Sequence, residues 1–248
     1  MNAFHSLRTL PLLALTTLAI AGLPARSAHG AEAGAEEEFF EFDEDSKPEI
    51  TINDPFEGFN RASFAFNDKL YRGVLKPVAK GFRVVPEPAR KSLSNFFNNL
   101  GAPISSASAL LQGEPRNALT ELGRFVINTT VGIVGLLDPA TDMGLVQDEE
   151  DLGQTMGKWG IGHGAYLVVP FIGSSSVRDF PGNIAGSALN PIIEHFSFGE
   201  QVALRGSSTV VDLSLDKDTY EAFYDSALDP YAFFRSAWVQ NRQGKIEK

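Results

Sequence analysis

The chain has no cysteine. This excludes disulfides, thiolate metal sites and cysteine nucleophiles, and it leaves no cysteine to carry an N-terminal lipid. Histidine is nearly as scarce: beyond residue 30 only His163 and His195 remain. Each reads as a lone imidazole donating one hydrogen bond to a backbone carbonyl, so neither a histidine-rich metal site nor a pair of histidine bases is expected. Basic charge is short as well, with 21 Lys and Arg against 31 Asp and Glu and a formal net charge of -10. Such a balance argues against nucleic acid as a partner and against simple electrostatic docking on anionic lipid.

Long apolar runs are also missing. The run from Leu10 to Leu23 rises only ~21 Å as a helix, short of the ~30 Å hydrocarbon core. With Arg8 before it and Ala28-His29-Gly30 after it, it reads as a secretory signal cleaved before Ala31, with Ala33 as the alternative end point. Removing residues 1–30 takes away two bases, Arg8 and Arg26, and no acid, so the formal charge moves from -10 to -12. The remainder is long enough for one good-sized core, and no composition break divides it. The organisation read from the sequence is therefore a signal peptide at 1–30, an acidic disordered tail at 31–50 and one helical domain at 51–248. Within the tail, Glu36 to Asp45 is seven acids interrupted by three phenylalanines.

Catalytic signatures fail on inspection. Gly173-Ser174-Ser175-Ser176-Val177 lacks the second glycine of a nucleophile elbow. Gly160-Ile161-Gly162-His163-Gly164 lacks the phosphate-loop lysine and a βαβ setting. Asn128-Thr129-Thr130 matches a glycosylation acceptor only as a common three-residue accident, and the acids at 148–151 read as a solvated loop or weak cation site rather than an acid and base couple. The expectation is a protein that is not an enzyme, with no cofactor and no metal.

What is present is helical periodicity. Phe56, Phe59, Ala62, Phe66 and Leu70 recur at spacings of three and four, with Asp54 as N-cap and Pro55 in the first turn. By periodicity alone this stripe is a core face. A second helix is expected from about Pro88 to Leu100, burying Leu93, Phe96, Phe97 and Leu100, and a short one from Ser105 to Gly113. Pro115 opens another, with Leu119, Leu122, Phe125 and Val126 on one side. Phe125 to Leu137 has no charge and would extend ~20 Å if helical. Tyr166 to Ile172 is β-branched and aromatic, but Pro170 makes it a poor central strand and favours an extended loop. Helical character resumes from Val177, from Glu200 to Leu213, and from Tyr231 to Arg242 behind Asp229 and Pro230. The fold class is all-α. A soluble periplasmic binding module and a structural envelope protein both fit these residues.

Asp54-Pro55-Phe56-Glu57-Gly58-Phe59-Asn60-Arg61, followed by Phe64 and Asn67, resembles the opening motif of the VacJ/MlaA family. The likeness continues through Pro86-Glu87-Pro88-Ala89-Arg90, Asn95-Phe96, Asn99-Leu100, Leu111-Gln112-Gly113, Arg124-Phe125, Asn128-Thr129, Gly132, Gly135 and Asp138. It extends to Gly153-Gln154-Thr155-Met156-Gly157, Gly160, Gly164-Ala165-Tyr166, Pro170, Arg178-Asp179, Asp229-Pro230-Tyr231 and Arg235. The resemblance implies a single ring-like helical domain whose amphipathic helices lie within one leaflet of the outer membrane, at its periplasmic face. It implies removal of mislocalised phospholipid from the outer leaflet through a polar channel, beside a porin trimer, with delivery to a periplasmic lipid-carrier protein. Under it, Phe56, Phe59, Phe66, Phe125, Ile133 and Leu136 become membrane-facing candidates. Asn128, Thr129, Arg178, Asp179 and Asn183, polar groups among apolar neighbours, become channel candidates. The family is typically lipidated on an N-terminal cysteine, which this chain lacks, so its own helices or a porin must hold it.

Overall fold

The computed structural model describes residues 52–216 and 218–248. The signal segment and the acidic tail lie outside the described residues. Helix α1 (Glu57–Leu70) passes through a single π-helical turn, Tyr71–Leu75, into α2 (Lys76–Phe82) without a break. Helix α3 (Glu87–Leu111) is one 25-residue element rather than the two shorter helices the sequence suggests. Pro103 sits inside it, and Asn190 donates to the Leu100 carbonyl at 2.8 Å, beside the carbonyl that the proline leaves without a donor. Gly113 at φ 80° closes α3 and turns the chain into α4 (Pro115–Thr130).

The apolar run that follows is not helical throughout. The helix ends at Thr130, and Ile133, Val134 and Gly135 adopt φ of 55°, 58° and 87°. The turn folds back on the end of α4, with Gly135 N–H donating to Asn128 O at 2.8 Å and Val134 N–H to Thr129 O at 2.9 Å. Only glycine fits at 132, where a Cβ would stand 2.5 Å from the carbonyl oxygens of Asn128 and Leu137.

Short helices α5 (Pro139–Asp142) and α6 (Leu152–Lys158) start at Asp138 and Asp151, whose carboxylates accept from Thr141 N–H and Gln154 N–H. Where an extended loop was expected, strands β1 (Tyr166–Val169) and β2 (Gly173–Ser176) form an antiparallel hairpin, pairing Tyr166 with Ser176 and Val169 with Gly173. Pro170 is accommodated because it falls in the turn, next to Phe171 at φ 71°. Helices α7 (Asp179–Leu189), α8 (Phe198–Leu215), α9 (Thr219–Ser226) and α10 (Pro230–Ile246) complete the order. Asp229 caps α10 as its sequence indicates, accepting from Ala232 N–H at 3.2 Å.

Neighbour relations close a circuit. Helix α1 packs on β1, the hairpin on α7, α7 on α6, α6 on α3, α3 on α8, and α8 on α2, which returns to α1; α4 lies along α3. Around this ring the usual burial pattern is inverted. On α1 the buried residues are Asn60, Ser63 and Asn67, whereas Phe56, Phe59 and Phe66 are 50%, 57% and 42% exposed. On α4 the buried residues are Ala118, Glu121, Arg124 and Asn128, and Leu119, Leu122 and Val126 face outward. The core-face reading of these apolar stripes is thus corrected: the helices are amphipathic with the polar face inside. Buried apolar packing is confined to small clusters, one around Tyr166, Val168, Tyr231 and Val239, another around Tyr71, Leu75 and Val210. No described helix is long and apolar enough to cross a membrane.

Candidate functional site

The polar faces of α3 and α4 meet at a recess. Asn95, Asn98 and Asn99 recur at helical spacing on α3 and face Glu121, Arg124 and Asn128 on α4, with Asp138 and Gln147 completing the wall. Its empty volume, open solvent included, is about 290 Å3.

Arg124 organises one side. Its Nη2 donates to both carboxylate oxygens of Asp138, at 3.0 and 3.2 Å, and its Nη1 donates to Thr141 Oγ1 at 2.9 Å and to the Leu145 carbonyl. Asn128 donates to Asp138 at 2.8 Å and accepts from Ala140 N–H at 3.1 Å, which ties α4 to the start of α5. Burial alone would raise the Asp138 carboxyl. The hydrogen bonds from Thr141, Asn128 and Arg124 outweigh that and hold it below the ordinary carboxylate range. Both of its oxygens are engaged.

Glu121 is the opposite case. It is fully buried, and burial pushes its carboxyl up to about 7 against only partial relief from Asp148 N–H and Arg124. Its Oε1 accepts from Asp148 N–H at 2.8 Å, whereas its Oε2 has no partner.

Of the five channel candidates taken from the sequence, Asn128 lines this recess. Thr129 stands one layer back, half-buried, accepting from Asn99 Nδ2 at 2.9 Å. Arg178 and Asp179 are brought together elsewhere, in a buried charge cluster. Asp179 receives Arg178 Nε at 3.0 Å and Arg242 Nη2 at 2.9 Å, and Arg242 also holds Asp151 through two 2.6 Å bonds. Asn183 is exposed on α7. Among the membrane-facing candidates, Phe56, Phe59, Phe66 and Ile133 are exposed and Phe125 and Leu136 are half-buried. Of the wall residues, sequence reasoning named only Asn128 as a channel candidate; it missed the others, Glu121, Arg124, Asp138, Gln147 and the asparagines of α3 among them. The signal was available in α3 and α4, where polar residues repeat at three and four through apolar segments.

A ring of helices with apolar side chains outward and carboxamides, a carboxylate and an arginine inward is the build of a protein seated in a membrane surface, since water outside would favour the reverse arrangement. Residues 52–245 match the family model described as MlaA lipoprotein, and the chain belongs to that family. It is 37% identical over 196 residues to the "Intermembrane phospholipid transport system lipoprotein MlaA" of Shigella flexneri, covering 76% of each chain. The Haemophilus influenzae protein of the same name is 32% identical over 206 residues, 82% of each. A solved structure described as "Structural basis for maintenance of bacterial outer membrane lipid asymmetry" superimposes with a TM-score of 0.72 at 33% identity, covering 78% of this chain and 99% of that one.

Proposed function

We propose that this chain is the outer-membrane component of an intermembrane phospholipid transport system, and that it removes mislocalised phospholipid from the outer leaflet and hands it to a soluble periplasmic carrier. The observation that carries this reading is the inverted burial. An apolar rim exposing Phe59, Leu119, Ile133 and Val134 lies around a polar interior containing Asn99, Glu121 and Asn128. A phospholipid has the same division, and moving two acyl chains of about 30 methylenes through water would cost on the order of 25 kcal/mol at ~0.8 each. A polar passage for the head group, with the tails left in apolar surroundings, avoids that cost.

The likeness to proteins named as intermembrane phospholipid transport lipoproteins supports the same reading, and the likeness to a structure described by outer-membrane lipid asymmetry supports an outer-membrane location. The finer parts are also proposed: a porin trimer beside the ring, a periplasmic carrier as acceptor, and export on a cleaved signal without lipidation. Also proposed, given that the sequence has no cysteine to acylate, is anchoring through the exposed apolar rim or through the porin.

The test is surface phospholipid in the outer leaflet of a deletion strain, read by an outer-leaflet acylation assay. A rise reversed by wild type, and not by Asn95→Trp present at equal level to fill the recess, is the expected result. Surface phospholipid unchanged by the deletion would remove the transport reading.

A further inference from the structure

Resting on that transport reading, we propose that the recess between α3 and α4 is a head-group seat selective for a primary ammonium, with the unpartnered carboxylate oxygen of Glu121 as its acceptor, so that ethanolamine-bearing phospholipid is preferred over anionic phospholipid.

The recess holds one unmatched charge. Arg124 is the only cation among the described residues lining the recess, and its terminal nitrogens are spent on Asp138, Thr141 and the Leu145 carbonyl. A guest phosphate therefore finds no uncommitted guanidinium there. Asp138 is likewise spent. Glu121 keeps one oxygen without a donor in a fully buried setting, where an unpaired carboxylate is costly and an incoming N–H cation is correspondingly welcome. The carboxamides of Asn95, Asn98 and Asn99 offer further acceptor carbonyls on the facing wall. A head group bearing only phosphate and glycerol would bring a second negative charge to the same place.

In the test, the full chain is loaded from detergent micelles holding phosphatidylethanolamine and phosphatidylglycerol in equal amounts. It is freed of loose lipid by gel filtration, and the retained lipid is counted by mass spectrometry. Wild type is expected to retain the ethanolamine lipid with a preference of roughly fivefold to tenfold, the scale of one charge-assisted hydrogen bond. Glu121→Gln keeps the Oε1 acceptor for Asp148 N–H and should bring the ratio near one. Phosphatidylcholine, equally charged but without an N–H donor, should be retained less than phosphatidylethanolamine.

A second readout needs no variant. The charged groups facing Glu121 are Arg124 on its own helix, Asp138 at the start of α5, and Asp148 and Glu149 on the following loop; α3 presents only asparagines and Ala102. As pH falls from 8 to 5.5 the carboxylate of Glu121, held near 7 by burial, protonates while the ammonium stays charged, so the preference should decline over that window. A wild-type ratio equal to the micelle composition, or a preference unaffected by both Glu121→Gln and pH, overturns the inference. Wild type that retains no phospholipid at all overturns the transport reading beneath it.

Discussion

Asn60 and Asn67 stand two helical turns apart on α1 and grip the same strand edge. Asn60 donates to Tyr166 O at 3.0 Å and accepts from Val168 N–H at 2.8 Å; Asn67 donates to Val169 O at 3.1 Å and accepts from Phe171 N–H at 2.8 Å. The two carboxamides replace the neighbouring strand that β1 lacks on that side, and they satisfy backbone groups that burial would leave unpaired. Asn60→Ala should cost roughly 2–4 kcal/mol, from three lost hydrogen bonds, of which the two to Tyr166 O and Val168 N–H leave buried backbone groups unsatisfied and the third is to Asp54. Thermal unfolding in detergent would show it, and Asn60→Leu should be no better despite its greater hydrophobicity. A variant as stable as wild type would mean that the hairpin is held by other contacts.

The charge cluster joining α6, α7 and α10 carries a pH signature. Burial pushes both Asp179 and Asp151 up; the Arg178 and Arg242 guanidiniums reverse this for Asp179, and Arg242 with the α6 N-terminus holds Asp151 at about 2. A carboxyl whose folded value is below its unfolded one stabilises fully above the unfolded value and loses that contribution as pH falls through the folded one. Stability in detergent should therefore drop between about 4 and 2 on this account. Asp179→Ala should flatten part of that drop and cost roughly 3–5 kcal/mol at neutral pH, because two guanidiniums lose a buried partner.

Gly153 lets α6 approach that cluster. A Cβ there would lie 2.4 Å from Asp179 Oδ1 and 2.5 Å from Arg242 Nη2, with the Asp179 backbone at 3.0 Å. Gly153→Ala should cost about 1–3 kcal/mol through displacement of those charges, whereas Gly58→Ala, which meets nothing within 4 Å, should leave the melting temperature unchanged or slightly raised.

Maturation is read by intact mass. Protein recovered from the envelope should begin at Ala31 and carry no fatty acyl group. A mass including residues 1–30, or an added lipid, would contradict export on a cleaved signal without lipidation.

Much of the helical architecture was legible from period and punctuation. Asp229-Pro230 marked the start of α10, Pro115 that of α4, and Gly113 the end of α3, because caps and prolines act locally. Which face turns inward was not legible from periodicity, because a stripe such as Phe56, Phe59 and Phe66 has the same spacing whether it meets a core or a lipid tail; the family motifs supplied the distinction. Asp54 was read as a cap for α1. In the structure the helix starts at Glu57, and Asp54 instead accepts from Asn60, Tyr231 and Arg235, joining α1 to α10 across more than 170 residues. The same limit explains the site. Asn128 was singled out as polar among apolar neighbours, but its grouping with Glu121, Arg124 and the asparagines of α3 depends on how two helices meet. Arg178 and Asp179 looked equally anomalous in sequence and prove to be partners of Arg242, 63 residues beyond Asp179.

The central claim is that the ring is seated in lipid with its apolar face outward and its polar face inward. Spin labels introduced singly at Phe59, Leu119 and Val134, and at Asn98 in the recess, can be compared in bilayers for contact with dissolved oxygen, which partitions into lipid, and with a water-soluble nickel chelate. The three rim positions should favour oxygen and exclude the chelate, with Asn98 the reverse. Rim labels as open to the chelate as Asn98 would contradict the account.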